Sequence, residues 1–386
     1  MVLSLCAMLS NMLRTFQFRL YPNATQRRAL EFILRDNADT YNAALQERRD
    51  AWRLERRAIT YRMQQDELTE LRRDAAFAVV ACDIQRDSLR RVDRAFKAFF
   101  RRVKTGQKPG FPRFRSSQRY DSFGFSLPVM CGDFLSVPKL GPIKARGGRD
   151  IAGKARCCTV KRDGNRWMAS VVCDIGPAPE KRTVTTAVGI DVGLTTLATL
   201  SDGTEIENPR WTKRHEDRIA AANRLLARKQ KRSKNRARAR EVLHRAHQRA
   251  ANARRNYLHH VSKWLVANYD LIAYEALNVK SMAQGNLARS IHDAAWTILL
   301  SQVHYKAESA GVYAIAVNPR GTSQLCSGCG QKVLKKLSQR THDCPHCGLV
   351  LGRDHNAGRN ILTLGMSAAG VSPQNLCMTP VRKLCI

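Results

Sequence analysis

The hydrophobic periodicity changes several times along this chain, and each change marks a segment. From Leu13 to Leu20, Phe16, Phe18 and Leu20 alternate with polar residues, the period of two expected of a strand. Between Thr25 and Lys104 the pattern turns helical. It opens with Thr25 and Gln26 before an Arg-Arg-Ala-Leu run and meets no Pro or Gly until Gly106. Residues 107–117, Gln-Lys-Pro-Gly-Phe-Pro-Arg-Phe-Arg-Ser-Ser, read as a hinge. From Ser122 to about Cys173, short runs such as Phe123-Gly-Phe-Ser-Leu, Phe134-Leu-Ser-Val and Trp167-Met-Ala-Ser-Val-Val are broken by Gly-Asp and Gly-Asn turns, which predicts a small β-barrel. Pro177-Ala-Pro-Glu-Lys181 reads as a linker. Beyond it, the apolar run into Asp191, the run Leu197 to Leu200, the Ser201-Asp202-Gly203 turn and Thr204 to Glu207 predict a three-stranded antiparallel meander. Further strands are expected at Asp270 to Glu275 and Val312 to Pro319. A short helix is expected to open at Asp354, with Asn356 and Asn360 on one face.

Composition narrows the class. The 386 residues give length for about two to three domains at roughly 100–200 residues each. Hydrophobic residues at 44% and charged residues at 25% are ordinary globular usage, which excludes disorder of the whole chain. The 66 Lys+Arg against 32 Asp+Glu leave a net charge of +34, so a polyanionic partner is expected, either nucleic acid or an anionic membrane surface. No run of about 18 apolar residues occurs, so no transmembrane helix is expected. Met1 to Met12 is apolar but lacks the charged start and small-residue cleavage site of a signal peptide. It reads as a short extension, with Met12 an alternative start.

The charge is concentrated. Arg86 to Arg119 holds twelve Lys/Arg against Asp87 and Asp93, and Arg210 to Arg255 holds seventeen against Glu216, Asp217 and Glu241. A single charge run usually means a solvated helix face. Like charges at i,i+4 destabilise a helix unless a counter-charge arrives, and phosphate is the natural one. In the first block Phe96, Phe99, Phe100, Phe111, Phe114 and Tyr120 are interleaved with the bases, as a surface that tracks a backbone and stacks bases requires. Phe96, Phe99 and Phe100, at helical spacing, read instead as a core face.

Three acids stand out. Asp191 lies in a strand among Val188, Ile190 and Val192, where a carboxylate is costly to bury unless a cation compensates it. Gly189 and Gly193 beside it are expected to leave room for a bulky ligand. Glu275 ends an apolar strand, and Asp354 opens a helix. Singly, each reads as a turn or bulge partner. Together, in a basic protein, they suit two Mg²⁺ ions about 3.5–4 Å apart, which need shared carboxylates.

Cys326-Ser-Gly-Cys329 and Cys344-Pro-His-Cys347 are paired CxxC knuckles, each followed by Gly, with the spacing of a four-cysteine structural zinc site. Redox dithiols are the competing reading, and His342 and His346 read as bystanders. Cys6, Cys82, Cys131, Cys157, Cys158, Cys173, Cys377 and Cys385 show no ligand spacing and are expected in the core or the tail. A reducing cytosol suits such a set.

Several runs resemble the TnpB/OrfB proteins of bacterial insertion sequences, relatives of the compact type V CRISPR effectors. They are Gly189-Ile-Asp-Val-Gly-Leu, Leu226-Ala-Arg-Lys-Gln-Lys-Arg, Leu271-Ile-Ala-Tyr-Glu-Ala-Leu-Asn-Val-Lys, Val317-Asn-Pro-Arg-Gly-Thr-Ser-Gln-Leu-Cys and Arg353-Asp-His-Asn-Ala, with Lys108-Pro-Gly-Phe-Pro-Arg-Phe upstream. The resemblance spans about Met12 to Leu364. It implies a multi-domain α/β chain: an RNase H-like RuvC nuclease domain with an inserted four-cysteine zinc ribbon, a helical recognition domain and a small β-barrel wedge domain. The implied segments are 1–24 (extension and first wedge strand), 25–106 (helical recognition), 107–180 (wedge barrel), 181–320 (the longer nuclease segment, with basic helices over 210–265), 321–350 (zinc ribbon), 351–366 (the closing nuclease segment) and 367–386 (flexible tail).

The activity implied is RNA-guided, metal-dependent cleavage of double-stranded DNA beside a short transposon-adjacent motif, with a guide RNA from the transposon end doing most of the sequence reading. Asp191, Glu275 and Asp354 match the nuclease triad, holding two Mg²⁺ (or Mn²⁺) ions. Cys326, Cys329, Cys344 and Cys347 match the ribbon, holding structural Zn²⁺. Ala276 and Gly352 stand where the family often has Asp. The partners implied are guide RNA and double-stranded target DNA, with no membrane, in the bacterial cytoplasm at the nucleoid. The alternatives are a transposition-associated DNA-binding protein without cleavage and a strand-transferring transposase.

Overall fold

The computed structural model describes residues 11–147, 151–285, 287–336, 339–372 and 374. The chain divides after Pro177 into two compact units, Met1–Pro177 and Ala178–Ile386. Cys6, Cys377, Cys385 and the tail from residue 375 on lie outside the described residues.

In the first unit, β1 (Asn11–Tyr21) buries Phe16, Phe18 and Leu20, as the alternation predicts. Asn23 then caps α1 (Ala24–Glu55): its side chain accepts from the Gln26 N–H while the Gln26 side chain accepts from the Asn23 N–H, a reciprocal capping box. The helical stretch is three helices, α1, α2 (Tyr61–Leu71) and α3 (Cys82–Lys104). The first break comes at Arg56, which takes a left-handed φ of 54° although no Gly or Pro announces it. The strands β2 (Ser122–Ser126), β3 (Val129–Cys131), β4 (Phe134–Val137), β5 (Gly141–Arg146), β6 (Lys154–Asp163) and β7 (Arg166–Pro177) join β1 in a seven-stranded antiparallel sheet, ordered β2-β6-β7-β1-β5-β4-β3. One apolar core takes Leu30 and Leu34 from α1, Ile84 and Val92 from α3, and Phe16, Phe123 and Val171 from the sheet. Among the polar groups caught in it, the Ser88 hydroxyl donates to Asn37 and pairs with the Tyr120 hydroxyl.

Phe96, Phe99 and Phe100 do not form the expected core face. The buried residues of α3 end at Val92, so its last turns outrun the surface they could pack on. Phe96 is only partly buried against the core, Phe100 is 60% exposed, and both Phe96 and Phe99 pack edge-on against Phe111 of the hinge. Cys131 and Cys157 are exposed rather than in the core.

The second unit contains β8 (Ala187–Val192), β9 (Thr196–Leu200), β10 (Glu205–Glu207), α4 (Trp211–Arg214), α5 (Glu216–Ala227), α6 (Lys234–Asn268), β11 (Leu271–Glu275), α7 (Val279–Met282), α8 (Ala288–Ala294), α9 (Trp296–Ala310), β12 (Tyr313–Val317), β13 (Thr341–Asp343), β14 (Val350–Gly352) and α10 (Arg353–Ala369). The expected meander is present as β8-β9-β10, and β11 and β12 extend it in parallel, giving the sheet order β10-β9-β8-β11-β12. This mixed sheet is the RNase H-like α/β arrangement that the resemblance implies. α6 and α9 pack with Val188, Ile190 and Ile272 on one face, and α10 packs with Leu271, Ala273 and Val317 on the other. No helix among the described residues is long and apolar enough to cross a membrane.

α10 is not the short helix expected. It runs 17 residues and takes in the first three residues of the expected tail. Its length follows from its contact with the sheet, made where side chains are absent. A Cβ on Gly189 of β8 would lie 2.0 Å from the Gly358 carbonyl oxygen, and one on Gly365 would lie 2.3 Å from the Ala273 Cβ. Gly189→Ala should therefore lower stability by about 1–3 kcal/mol or more, since the clash is with backbone. Gly110→Ala, where nothing lies within 4 Å and φ is not positive, should be neutral. Urea unfolding of the two variants checks this.

Candidate functional site

Strand parity places two of the three acids. Side chains two apart share a face of a sheet. Gly189 and Ala273 both meet α10, so Asp191 and Glu275, two residues further along parallel strands β8 and β11, emerge on that same face. α10 begins there, with Asp354 its second residue. The structure thus brings together all three predicted acids. Burial is the main influence on Asp191, followed by the charges of Glu275 and then Asp354. These outweigh the opposing Arg353 guanidinium and push the carboxyl up to about 8. Burial also raises Glu275, against a hydrogen bond from Thr322 that lowers it. Arg340 approaches Asp354 at 3.8 Å.

The glycines beside Asp191 do not make room for a ligand. The space at Gly189 is filled by α10, and a Cβ on Gly193 would lie 2.9 Å from the Thr196 carbonyl oxygen. They are needed for close backbone approach.

The four predicted cysteines converge more tightly than the acids. Among the described residues, they are the one group of three or more potential ligands whose donor atoms all lie within 4.8 Å of one another. Each knuckle is closed by a glycine N–H bonded to a cysteine carbonyl at 2.9 Å, Gly330 to Cys326 and Gly348 to Cys344. Both glycines hold positive φ, +74° and +69°, which L residues avoid. Without an ion the sulfurs are in conflict. Desolvation opposes ionisation of Cys326, yet the Cys329 and Gly328 N–H groups, with His342 and Cys344, outweigh it and bring the thiol down to about 5. At Cys347 the Leu349 N–H favours the thiolate, but desolvation and the neighbouring sulfurs push the thiol up to about 12. A dication satisfies all four at once, so the donor set fits a metal ion. His342 stays outside the four-sulfur group, as expected, but it is fully buried, helps hold Cys326 down and contacts Lys335.

The residues that link the two sites were not legible as functional. Thr322 donates to the Glu275 carboxylate, 47 residues earlier in the chain. On α10, Asn356 and Asn360 bond the turn that leads into the first cysteine knuckle. The spacing of Asn356 and Asn360 announced one helix face, but residue type alone carries no partner.

The basic blocks form exposed surfaces. In the first unit the block lies on α3 and the hinge, with Phe100, Phe111 and Phe114 exposed among its bases. In the second, α6 buries a seam of Ala239, Ala246 and Ala250, and leaves Arg238, Arg240, Arg245 and Arg249 exposed.

Three family models match the chain: "Probable transposase" over residues 170–286, "Cas12f1-like, TNB domain" over 296–361, and "Helix-turn-helix domain" over 8–57. The last spans β1 and α1, where α1 is one continuous helix. A protein of Streptomyces pristinaespiralis named "Putative RNA-guided DNA endonuclease" is 35% identical, over 95% of this chain and 94% of its own. "Putative RNA-guided DNA endonuclease InsQ" of Escherichia coli (strain K12) is 32% identical, over 72% and 73%. A solved mini-RNA-guided endonuclease, CRISPR-Cas_phi3, superposes with a TM-score of 0.47 at 8% identity, covering 97% of this chain and 94% of that one. At that likeness to the Streptomyces protein over nearly its whole length, the chain belongs to the TnpB/OrfB family of insertion-sequence proteins.

Proposed function

We propose that this chain is an RNA-guided DNA endonuclease that cuts double-stranded DNA beside a short transposon-adjacent motif, with a guide RNA transcribed from the transposon end. The observation that carries this reading is the convergence of Asp191, Glu275 and Asp354, from β8, β11 and α10, in a place dry enough to push Asp191 up to about 8. Such a cluster is unfavourable by itself and fits divalent cations, Mg²⁺ or Mn²⁺. When bound, a pair of such ions supplies an activated water and stabilises the leaving oxygen. The chain's own role is to hold these carboxylates fixed and to carry phosphates on its basic helices, while base pairing reads the sequence. The names of the relatives support the reading. The cysteine cluster holds Zn²⁺. With all four positions taken by thiolates it is closed to substrate, so it serves structure. Guide and target place the protein in the bacterial cytoplasm, at the nucleoid.

Asp191→Ala should abolish cleavage of target DNA, by at least about a thousandfold, while filter binding of guide RNA and target is kept. Cleavage that survives would overturn the assignment of these acids as the nuclease site, whereas a parent protein that cuts nothing across a Mg²⁺ or Mn²⁺ titration would favour a DNA-binding protein of transposition.

In the metal-free protein the raised Asp191 pKa has a defined sign. The unfolded carboxyl ionises near pH 4, whereas the folded one stays protonated to about pH 8. Folded protein therefore binds the extra proton between these values, and stability falls as pH rises through that window. Asp191→Asn, neutral throughout, should match the parent near pH 4. It should exceed it increasingly toward pH 8, by at most about 1.4 kcal/mol per pH unit, read as a widening gap in melting temperature. Metal analysis should find one zinc per chain, and Cys326→Ser should lose it together with much of the ribbon's protection from proteolysis.

A further inference from the structure

Between β12 and the first cysteine knuckle the chain makes a short turn that touches three things. Arg320 N–H bonds the Asn318 side chain at 3.0 Å, Gly321 takes φ +88°, and the Gln324 and Leu325 N–H groups return to the Gly321 carbonyl at 2.9 Å. This geometry turns Thr322 inward, to 2% exposure. Its hydroxyl donates to Glu275 Oε1 and also lies 3.0 Å from the Pro319 carbonyl. One proton cannot serve both, and the charge-assisted bond to the carboxylate is the stronger.

The turn is held from its other side by α10. Asn360 Nδ2 donates to the Thr322 and Leu325 carbonyls at 2.8 Å each. The fully buried Asn356 donates to Leu325 at 2.8 Å and accepts from Ser327 N–H at 2.9 Å. The helix that carries Asp354 therefore fixes the turn that fixes Glu275, and the same bonds bracket Cys326.

We propose that Thr322 is a positioning residue for Glu275: its hydroxyl ties down one carboxylate oxygen, from a turn braced by Asn356 and Asn360, and so sets the orientation in which Glu275 meets a divalent cation. The proposal rests on the reading of Glu275 as a metal ligand. Partners that orient ligands typically change metal affinity by about 10–100-fold when removed.

The test uses the full-length, zinc-loaded chain without RNA, titrated with Mn²⁺ and followed by electron paramagnetic resonance. Thr322→Val keeps shape and removes the hydroxyl, and should weaken Mn²⁺ binding about tenfold while lowering the melting temperature by only a few degrees, the cost of one lost buried hydrogen bond. In cleavage assays with guide RNA it should raise the Mn²⁺ needed for half-maximal rate more than it lowers the rate at saturating Mn²⁺. Thr322→Ser should restore both. Equal Mn²⁺ affinity in Thr322→Val and the parent overturns the proposal, as does loss of affinity in Thr322→Ser matching that of Thr322→Val. Glu275→Gln separates the two levels. If it leaves Mn²⁺ binding and cleavage intact, the metal-site reading fails. If it abolishes them while Thr322→Val does nothing, only the positioning role fails.

Discussion

Three carboxylates do not gather in a half-dry place of their own accord, and in this chain the contact of α10 with β8 and β11 holds them there. At Gly189 the contact is backbone against backbone, the Gly358 carbonyl occupying the space that a side chain there would fill, and at Gly365 the Ala273 methyl occupies that space. A helix that close has its axis fixed within a fraction of an ångström, because interiors this dense have no slack. Its first turn then lies where the same-face positions of the two parallel strands, Asp191 and Glu275, emerge. The repulsion among the acids is offset by Leu271, Ala273, Val317, Ile361 and Met366 packed beneath them, none of which belongs to the site.

The ribbon depends on the same helix. Its four cysteines are a closed set, and its chemistry is separate from that of the acids. Yet the chain enters it through a turn held by two asparagines of α10 and leaves it directly into Arg353, whose N–H bonds the Arg340 carbonyl at 2.7 Å. An insertion tied at both ends to one helix cannot swing freely, and Arg340 stays near Asp354 for that reason. The cysteine set and the acid set are thus two loads on one beam.

What could be read beforehand follows from what leaves a local trace. A strand half buried on a core alternates with period two, so β1 and the meander were visible, and a carboxylate inside an apolar run is conspicuous because burial is costly. The knuckles were visible because each CxxC presents two thiolates from a single short turn, a spacing that few other sites use. Contacts that depend on two distant segments left no such trace. Gly189 and Gly193 looked like room for a ligand because a glycine reports only that something approaches, not what. Phe100 looked like core because α3 keeps its period beyond Val92, where the surface beneath it ends. The break at Arg56 has no Gly or Pro, and nothing local to Thr322 signals its bond to Glu275.

The basic helices show a different constraint. On α6, Lys234 and Arg238, Arg236 and Arg240, and Arg245 and Arg249 stand four apart, and each such like-charge pair costs a helix about 0.2–0.5 kcal/mol. Partial compensation comes from within: Ser233 caps the first turn, and the Arg236 guanidinium bonds the Leu226 and Lys229 carbonyls, satisfying the end of α5. Packing through alanines at 239, 246 and 250 adds little apolar area, because each side chain is a single methyl. The helix is therefore held mainly by its apolar far end, from Tyr257 to Val266, which is rooted in the sheet's core. Its charged end is kept straight by one small seam and its caps. That arrangement is poor for a free-standing helix, and it suits one whose missing counter-charge comes from phosphates laid along it, since each neutralised pair then turns a cost into a contact.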